Sequence, residues 1–229
     1  MPLQTSPVLL TGQIAPIGTS AVDSGIAKTP ICGVTQIGAE GLQGDAQADR
    51  RVHGGPEKAL HHYPQDHYPV WRSELGDCPV LARPGAFGEN ISTNGIRESD
   101  IAVGDIFRLG TALIQVSQGR QPCWKLDLRF GQRGMARQVQ ESGRTGWYYR
   151  VLEPGQVTPG DQMTLVERLA PDWTIQRLWH AMYVDRMNRD LLTEIAGLSV
   201  LAEGWRKYAR RRLDSGRIED WTARLEGSA

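Results

Sequence analysis

The spacing of apolar residues changes near residue 170. Before it, short runs that alternate apolar and polar residues are separated by Gly, Pro, Asp and Asn, which is the pattern of half-buried β-strands joined by turns. After it, apolar residues recur at the three- and four-residue spacing of amphipathic helices. The pattern predicts a mostly β protein with some α structure: a strand-rich domain over residues 1–170 and a helical extension over residues 171–229.

The first part is predicted to contain six strands and two helical segments. The predicted strands cover residues 8–14, 31–37, 101–109, 112–117, 147–152 and 162–169. The third and fourth of them form a hairpin with a tight turn at Leu109 and Gly110. One helix is predicted over residues 132–142, ended by Gly143, because glycine readily ends a helix in the left-handed conformation. The segment 57–75 is also interpreted as helical, although its two prolines must break or kink it.

The second part is predicted to be three helices and a short fourth segment. Ile175, Leu178 and Met182 follow helical spacing, and further helices are predicted over residues 189–196 and 200–213. A short segment lies around residues 218–225. A bundle of this size buries too little apolar surface to be stable on its own. We therefore expect the helices to pack against the strand-rich domain.

The charge balance argues against a polyanionic partner. The chain has 26 basic and 26 acidic residues, so no overall field draws it onto nucleic acid or an anionic membrane. The basic run at 206–212 spreads around a helix that keeps one apolar face, so we interpret it as solvated surface. The sequence shows no secretory signal and no apolar run long enough to span a bilayer. We expect a soluble, cytoplasmic protein.

The segment around Cys123 carries the most suggestive chemistry. The three cysteines of the chain are too few and too widely spaced for a disulfide framework or an iron–sulfur cluster, which favours a reducing compartment. Cys123 follows an alternating strand and has Arg120 and Lys125 close by in sequence. Nearby cations favour the thiolate, the form that attacks electrophiles and binds metals. A cysteine can equally be an inert core residue, so this segment alone leaves both interpretations open.

Four of the five histidines fall within residues 50–67. In this window the turn at Gly54 and Gly55 exposes backbone N–H groups ahead of a segment that can open a helix. With His53 and Lys58 beside it, the turn is a candidate site for a phosphate or a similar anion. A tight surface turn with a solvated basic flank fits the same residues.

Two further patterns are weaker. A zinc site built from the histidines and Cys123 would have no familiar ligand spacing, so zinc is a minor alternative. The histidines in question are His61, His62 and His67. Asn90 could orient a ligand through its amide or simply close an Asx turn.

Five motifs, taken in order, resemble those of the MOSC family, named for the C-terminal domain of molybdenum cofactor sulfurases. They are IGAEGLQGD at 37–45, the histidine window at 50–67, FGENI at 87–91, VGDIF at 103–107 and SQGRQPC at 117–123. The tail, including KYARRRL at 207–213, resembles the three-helix extension of the YiiM subgroup, which is known for resistance to 6-N-hydroxylaminopurine. The resemblance covers nearly the whole chain. It implies a MOSC-type β-barrel followed by a small C-terminal three-helix bundle.

The resemblance also implies a bound molybdenum cofactor, the molybdopterin type. In related enzymes the cysteine at the Pro-Cys position ligates molybdenum, and in this sequence that residue is Cys123. A thiolate is a soft donor suited to such a metal. The residues then expected near the phosphate or the pterin are His53, Gly54, Gly55, Lys58 and Arg120, with His62 and Asn90 on the cofactor or substrate side.

The implied reaction is reduction of an N-hydroxylated base or amidoxime to the amine or amidine, for example 6-N-hydroxylaminopurine to adenine. His62 or His53 is expected to deliver a proton, since histidine titrates near neutral pH. Electrons are expected from a separate partner, a flavoprotein reductase, because the chain lacks a cysteine set for an iron–sulfur cluster. Two alternatives stay open: a sulfur carrier or transferase with a persulfide on Cys123, and a non-catalytic module that binds the cofactor.

Overall fold

A computed structural model describes residues 3–48 and 54–227 of the chain. This part contains fourteen strands and seven α-helices, so the fold is mostly β with some α, as predicted. The strands are β1 Gln4–Thr5, β2 Val8–Thr11, β3 Ala15–Pro16, β4 Asp23–Ser24, β5 Thr29–Pro30, β6 Thr35–Gly38, β7 Gly41–Leu42, β8 Leu60–Pro64, β9 Ile91–Thr93, β10 Ile106–Leu109, β11 Ala112–Gly119, β12 Trp147–Glu153, β13 Gly155–Val157 and β14 Met163–Glu167. The helices are α1 His67–Leu75, α2 Lys125–Phe130, α3 Met135–Ser142, α4 Ile175–Tyr183, α5 Arg189–Gly197, α6 Glu203–Ser215 and α7 Thr222–Glu226.

Nine strands form the main sheet, in the order β1-β14-β10-β11-β12-β8-β9-β2-β5. Neighbouring strands run antiparallel, except β8 and β9, which are parallel. In the part of the chain that the structure describes, the two strands at the ends of this order do not pair with each other. The sheet is therefore not a closed barrel, which corrects the barrel expected from the resemblance.

The hairpin of β10 and β11 forms as predicted, with its turn one residue later. Leu109 pairs with Ala112, so the two-residue loop consists of Gly110 and Thr111. Leu109 is fully buried and stays in the sheet, while Gly110 takes a φ of 57°, a conformation that glycine adopts without strain. This hairpin leads directly into the segment that carries Cys123.

The helix predicted over residues 57–75 is wrong in its first half. A short 3-10 turn at Pro56–Lys58 leads into β8, and only α1 is helical. All five residues of β8 are buried, because the strand lies between β9 and β12 near the middle of the sheet. A strand that is buried on both faces has no alternation of apolar and polar residues, so its sequence resembles that of a buried helix. Two adjacent histidines, His61 and His62, therefore project from opposite faces of a strand.

The helical extension packs on the sheet, as expected. The side chain of Thr174 caps the N-terminus of α4 by accepting a hydrogen bond from the Arg177 N–H. Leu178 of α4 and Trp205 of α6 are buried in the same apolar cluster as Val116 of β11. Sheet and extension thus share one core over the residues described. No helix in that part of the chain has the length and apolar character needed to cross a membrane.

Candidate functional site

A cleft opens where β11 leaves the sheet and the chain turns toward α2. It encloses about 610 Å³, part of it open to solvent. Its walls come from distant segments of the sequence, including residues 24–28, β8, residues 87–90 and the loop after β11. The ionisable and polar side chains that line it are those of Ser24, Lys28, Gln47, Lys58, His61, Asn90, Arg120, Cys123, Lys125 and Tyr148.

Cys123 lies in the loop between β11 and α2 and is half-buried. Its carbonyl accepts a hydrogen bond from the Leu126 N–H at 3.0 Å. The next residue, Trp124, donates its backbone N–H to the carbonyl of Arg224 in α7 at 2.9 Å, and the Arg224 guanidinium donates to the Pro122 carbonyl. The loop that holds the thiol is therefore fixed between the sheet and the last helix.

Arg120 presents an incompletely paired guanidinium to the cleft. The residue is 5% exposed, and its Nη2 donates to the Phe87 carbonyl at 3.1 Å. Its Nη1 has no hydrogen-bond partner among the residues described. Buried polar groups in proteins are almost always hydrogen-bonded, and an unpaired charged donor is costly. This donor therefore points to an acceptor supplied by a ligand, such as a phosphate or a pterin oxygen.

The strand β8 brings His61, and not His62, to the cleft. Burial and the charge of Arg120 lower the pKa of His61 well below its usual value, so its ring is neutral near pH 7. Its Nε2 has no hydrogen-bond partner in the described part of the chain. Sequence reasoning considered His61 only as a possible zinc ligand and placed His62 on the cofactor or substrate side. Because side chains alternate along a strand, His61 and His62 fall on opposite faces of the sheet.

His62 faces the interior on the other side of the sheet. It is fully buried, its Nδ1 lies 2.9 Å from the Tyr149 hydroxyl and its Nε2 lies 2.8 Å from the Thr93 hydroxyl. Burial lowers the pKa of His62 to about 3. Both ring nitrogens of His62 are hydrogen-bonded and the side chain has no access to the cleft. His62 therefore has a structural role, and we do not propose it as the proton donor.

The buried neutral His62 makes stability depend on pH. Its pKa falls from 6.5 to about 3 on folding, so below pH 6.5 the unfolded chain binds the extra proton and stability decreases as pH falls toward 3. We expect the parent to lose about 2–3 kcal/mol more unfolding free energy than His62→Gln between roughly pH 7 and pH 4.5, measured by urea titration. The exposed His180→Gln serves as a control and should follow the parent. Equal losses in parent and His62→Gln would contradict this assignment.

Lys58 lies beside Cys123 at the cleft. Burial lowers the pKa of Lys58, and its electrostatic interaction with Cys123 opposes this by raising it. Gly54 and Gly55 precede the 3-10 turn that ends at Lys58, and Gly55 has a φ of 93°, which favours glycine. These two glycines position Lys58 without lining the cleft themselves.

Asn90 forms part of the cleft wall, and its side-chain amide is hydrogen-bonded to other groups of the protein. Its Oδ1 accepts from the His61 N–H at 3.1 Å, and its Nδ2 donates to the Leu10 carbonyl at 3.2 Å and to Asp45 at 2.9 Å. Asp45 also pairs with the buried ammonium of Lys28 at 2.5 Å. Asn90 thus shapes the wall and orients His61 and Asp45.

The described residues contain no group of three His, Cys, Asp or Glu side chains close enough to hold a metal ion. The minor zinc alternative therefore has no ligand set among them. His67 is bonded to Glu98 instead, at 2.7 Å. His53, the remaining predicted phosphate ligand, lies outside the described residues. A single thiol beside several cations suits a metal that arrives within an anionic organic cofactor.

Comparisons with known proteins agree with this architecture. A family model described as the MOSC domain matches residues 49–164, and one described as a YiiM-like, 3-alpha helix domain matches residues 173–216. Protein YiiM of Escherichia coli (strain K12) is 43% identical over 208 residues, which cover 89% of this chain and 91% of YiiM. The crystal structure of YiiM from Escherichia coli superimposes with a TM-score of 0.83 and 33% identity, over 99% of this chain and 100% of that one.

One similar protein, from a fungus, has a name that states an activity. A protein named "Reductase" from Gibberella moniliformis is 35% identical over 195 residues, which are 85% of this chain and 34% of the fungal protein. The matches together show that the chain belongs to the MOSC family. Within that family it carries the three-helix extension of the YiiM-like proteins, as the motif at 207–213 indicated.

Proposed function

We propose that the cleft binds a molybdenum cofactor and that the protein reduces N-hydroxylated bases and related compounds to their amines. The observation that carries this proposal is the pair of unpaired polar groups beside Cys123. Among the described residues, both Arg120 Nη1 and His61 Nε2 lack hydrogen-bond partners while lying buried in the same cleft. Two such groups beside a thiol fit an anionic, polar, metal-bearing ligand.

The residues present fit such a cofactor. The Cys123 sulfur would ligate the metal, while Lys58 and Arg120 would bind phosphate or pterin oxygens. His61, neutral near pH 7, offers one ring nitrogen for a hydrogen bond. When bound, the cofactor would supply two-electron redox chemistry and accept the substrate oxygen.

Proton delivery is assigned to a residue that sequence reasoning did not single out. Tyr148 of β12 borders the cleft beside Cys123, and burial raises the pKa of its phenol, so it holds its proton near neutral pH. Conversion of an N–OH group to an amine and water consumes two protons and two electrons. Tyr148 can donate a hydrogen bond, and then a proton, to the departing oxygen. The electrons come from a separate donor, for which a flavoprotein reductase is our proposal.

The relatives support the reductase class. The Gibberella moniliformis protein is named a reductase, and this chain matches about a third of it. The family name connects the cleft to the molybdenum cofactor, since the MOSC domain is named for the C-terminal domain of cofactor sulfurases. Reduction of 6-N-hydroxylaminopurine to adenine is the finer proposal and needs a direct assay.

The test uses protein purified from a host that makes the cofactor. We expect the parent to contain molybdenum and pterin and to form adenine from 6-N-hydroxylaminopurine with reduced viologen as electron donor. In Arg120→Met, loss of a buried charged donor should weaken cofactor retention roughly 10- to 100-fold, seen as molybdenum lost on dialysis. The exposed Arg108→Met is the matched control and should retain the metal. Full retention in Arg120→Met, or no adenine from a metal-loaded parent, would contradict the proposal.

A further inference from the structure

A second cavity adjoins the cleft at Cys123. It has a volume of about 1060 Å³, part of it open to solvent, and lies between the end of β11 and the helical extension. Lys58, Cys123 and Tyr148 belong to the walls of both spaces. The thiol therefore stands where the two spaces meet, so a molecule in the second cavity can reach whatever Cys123 holds.

The two spaces differ in chemistry. The cleft is lined by several cations, whereas the second cavity is walled by aromatic rings. These rings belong to Trp124, Tyr148, Trp205 and Tyr208. Aromatic side chains stack on flat heterocycles and tolerate many ring types, because every base has a π-face. The wall of the second cavity thus offers stacking surfaces for a planar ring, beside the cations Lys58 and Arg224.

One amide nitrogen in this cavity is buried without a partner in the described part of the chain. Gln118, on β11, is 4% exposed, and its Nε2 has no hydrogen-bond partner among the residues described. A side-chain amide offers both donors and an acceptor, which match the ring nitrogens and exocyclic amino group on the edge of a nitrogen heterocycle. An unsatisfied buried donor is costly, so a ligand that satisfies it gains affinity.

Two other polar side chains of the cavity, Gln121 and Arg224, are already hydrogen-bonded. Gln121 donates to the Tyr183 hydroxyl at 3.1 Å. The guanidinium of Arg224 donates to the Pro122 carbonyl and, at 2.6 Å, to Gln140. Of these three side chains, Gln118 is the one with a donor left to anchor a ligand.

The helical extension builds one side of this cavity. Trp205 and Tyr208 come from α6, and Arg224 comes from α7. Gly119 makes the contact possible, because a Cβ at this position would lie 3.2 Å from the Trp205 ring. The extension is thus part of the wall that faces the thiol.

We propose that this cavity is the substrate-recognition site and that it takes a planar, nitrogen-rich heteroaromatic base. The base stacks on the aromatic wall and its polar edge hydrogen-bonds with the Gln118 amide. This inference rests on the proposed function, since it places the base next to the cofactor-binding cleft at Cys123. It makes Gln118 and Tyr208 specificity-determining residues of the reaction.

The test measures adenine binding by titration calorimetry to the full chain, both with and without cofactor. In Gln118→Leu we expect roughly 10- to 100-fold weaker binding, because an amide that pairs with the base is lost. The exposed Gln36→Leu, also on a strand, is the control and should bind as the parent does. Tyr208→Phe should keep near-parental affinity through stacking, whereas Tyr208→Leu should lose roughly 10-fold or more.

Kinetics separate this inference from the proposed function. In loaded protein, Gln118→Leu should raise KM for 6-N-hydroxylaminopurine by a larger factor than KM for acetamidoxime, which has no ring. Adenine binding that depends on Gln118 and Tyr208 in a protein without molybdenum or turnover would support the base site and refute the proposed function. An active, loaded protein whose KM is unchanged in both Gln118→Leu and Tyr208→Leu would overturn the base site alone. No adenine binding to the parent at millimolar concentration would overturn it as well.

Discussion

Replacement of Cys123 by serine is expected to abolish reduction of 6-N-hydroxylaminopurine and to remove molybdenum from the purified protein. A serine hydroxyl is a harder and far less acidic donor than a thiol, so it does not replace a thiolate ligand. Loss of a residue that only supports a metal ligand costs about 10- to 100-fold, so loss of the ligand itself should cost more than about 100-fold in activity. Metal analysis and viologen-coupled turnover measure both effects.

The matched control is Cys32→Ser, a change at an exposed cysteine away from the cleft. It should keep parental metal content and rate. Thermal unfolding of the cofactor-free proteins should be similar for all three, because Cys123 is only half-buried. Parental molybdenum and turnover in Cys123→Ser would exclude this residue as the ligand.

Arg212→Ala is expected to be the most destabilising single change in the helical extension. Arg212 is fully buried, and its Nε and Nη2 donate to Glu219 at 3.0 and 2.9 Å, while Nη1 donates to the Met182 carbonyl at 3.0 Å. Its guanidinium also lies 5.3 Å from the Trp221 ring centroid. Removing one partner of a buried ion pair costs about 3–5 kcal/mol, which corresponds to roughly 6–20 °C in Tm for a chain of this size.

The neighbouring Arg211 is exposed and provides the control. Arg211→Ala should change the unfolding free energy by no more than about 0.5 kcal/mol, as surface substitutions usually do. Because Arg212 ties α6 to the segment before α7, its loss should also loosen the wall around Arg224 and weaken base binding. Equal stability of the two variants in urea unfolding would contradict this role.

The sequence was most informative where local pattern decides structure. The helices α4, α5 and α6 follow a 3.6-residue spacing that is visible without tertiary context, and they lie close to their predicted positions. The segment of β8 was assigned wrongly because burial on both faces removes the alternation that identifies a strand. The candidate site was also assigned to the wrong neighbour, since His61 and not His62 lines the cleft.

The candidate site was predictable only where a motif marked it. Cys123, Arg120 and Lys58 were all expected at the site and all line the cleft. Gln118 and Tyr148 were not identified, because their importance depends on which groups surround them after folding. An unpaired amide or a buried phenol is a property of the assembled cavity and leaves no signal in residue spacing.

Cys123 separates two spaces with different tasks. The cationic cleft on one side suits the anionic cofactor, and the aromatic cavity on the other suits a planar base. Arg120 and Gln118 lie two residues apart in sequence at the end of β11, and each presents a donor to one of these spaces that is unpaired among the described residues. On the two proposals above, a single strand end serves both ligands, and the helical extension completes the second space.

The most direct test of this account is the molybdenum and pterin content per chain, measured on protein from a host that synthesises the cofactor. A molybdenum-cofactor enzyme should contain close to one metal and one pterin per chain, and both should be lost in Cys123→Ser. Protein with neither component, and with cyanide-labile sulfur on Cys123, would contradict the account and identify a persulfide carrier instead.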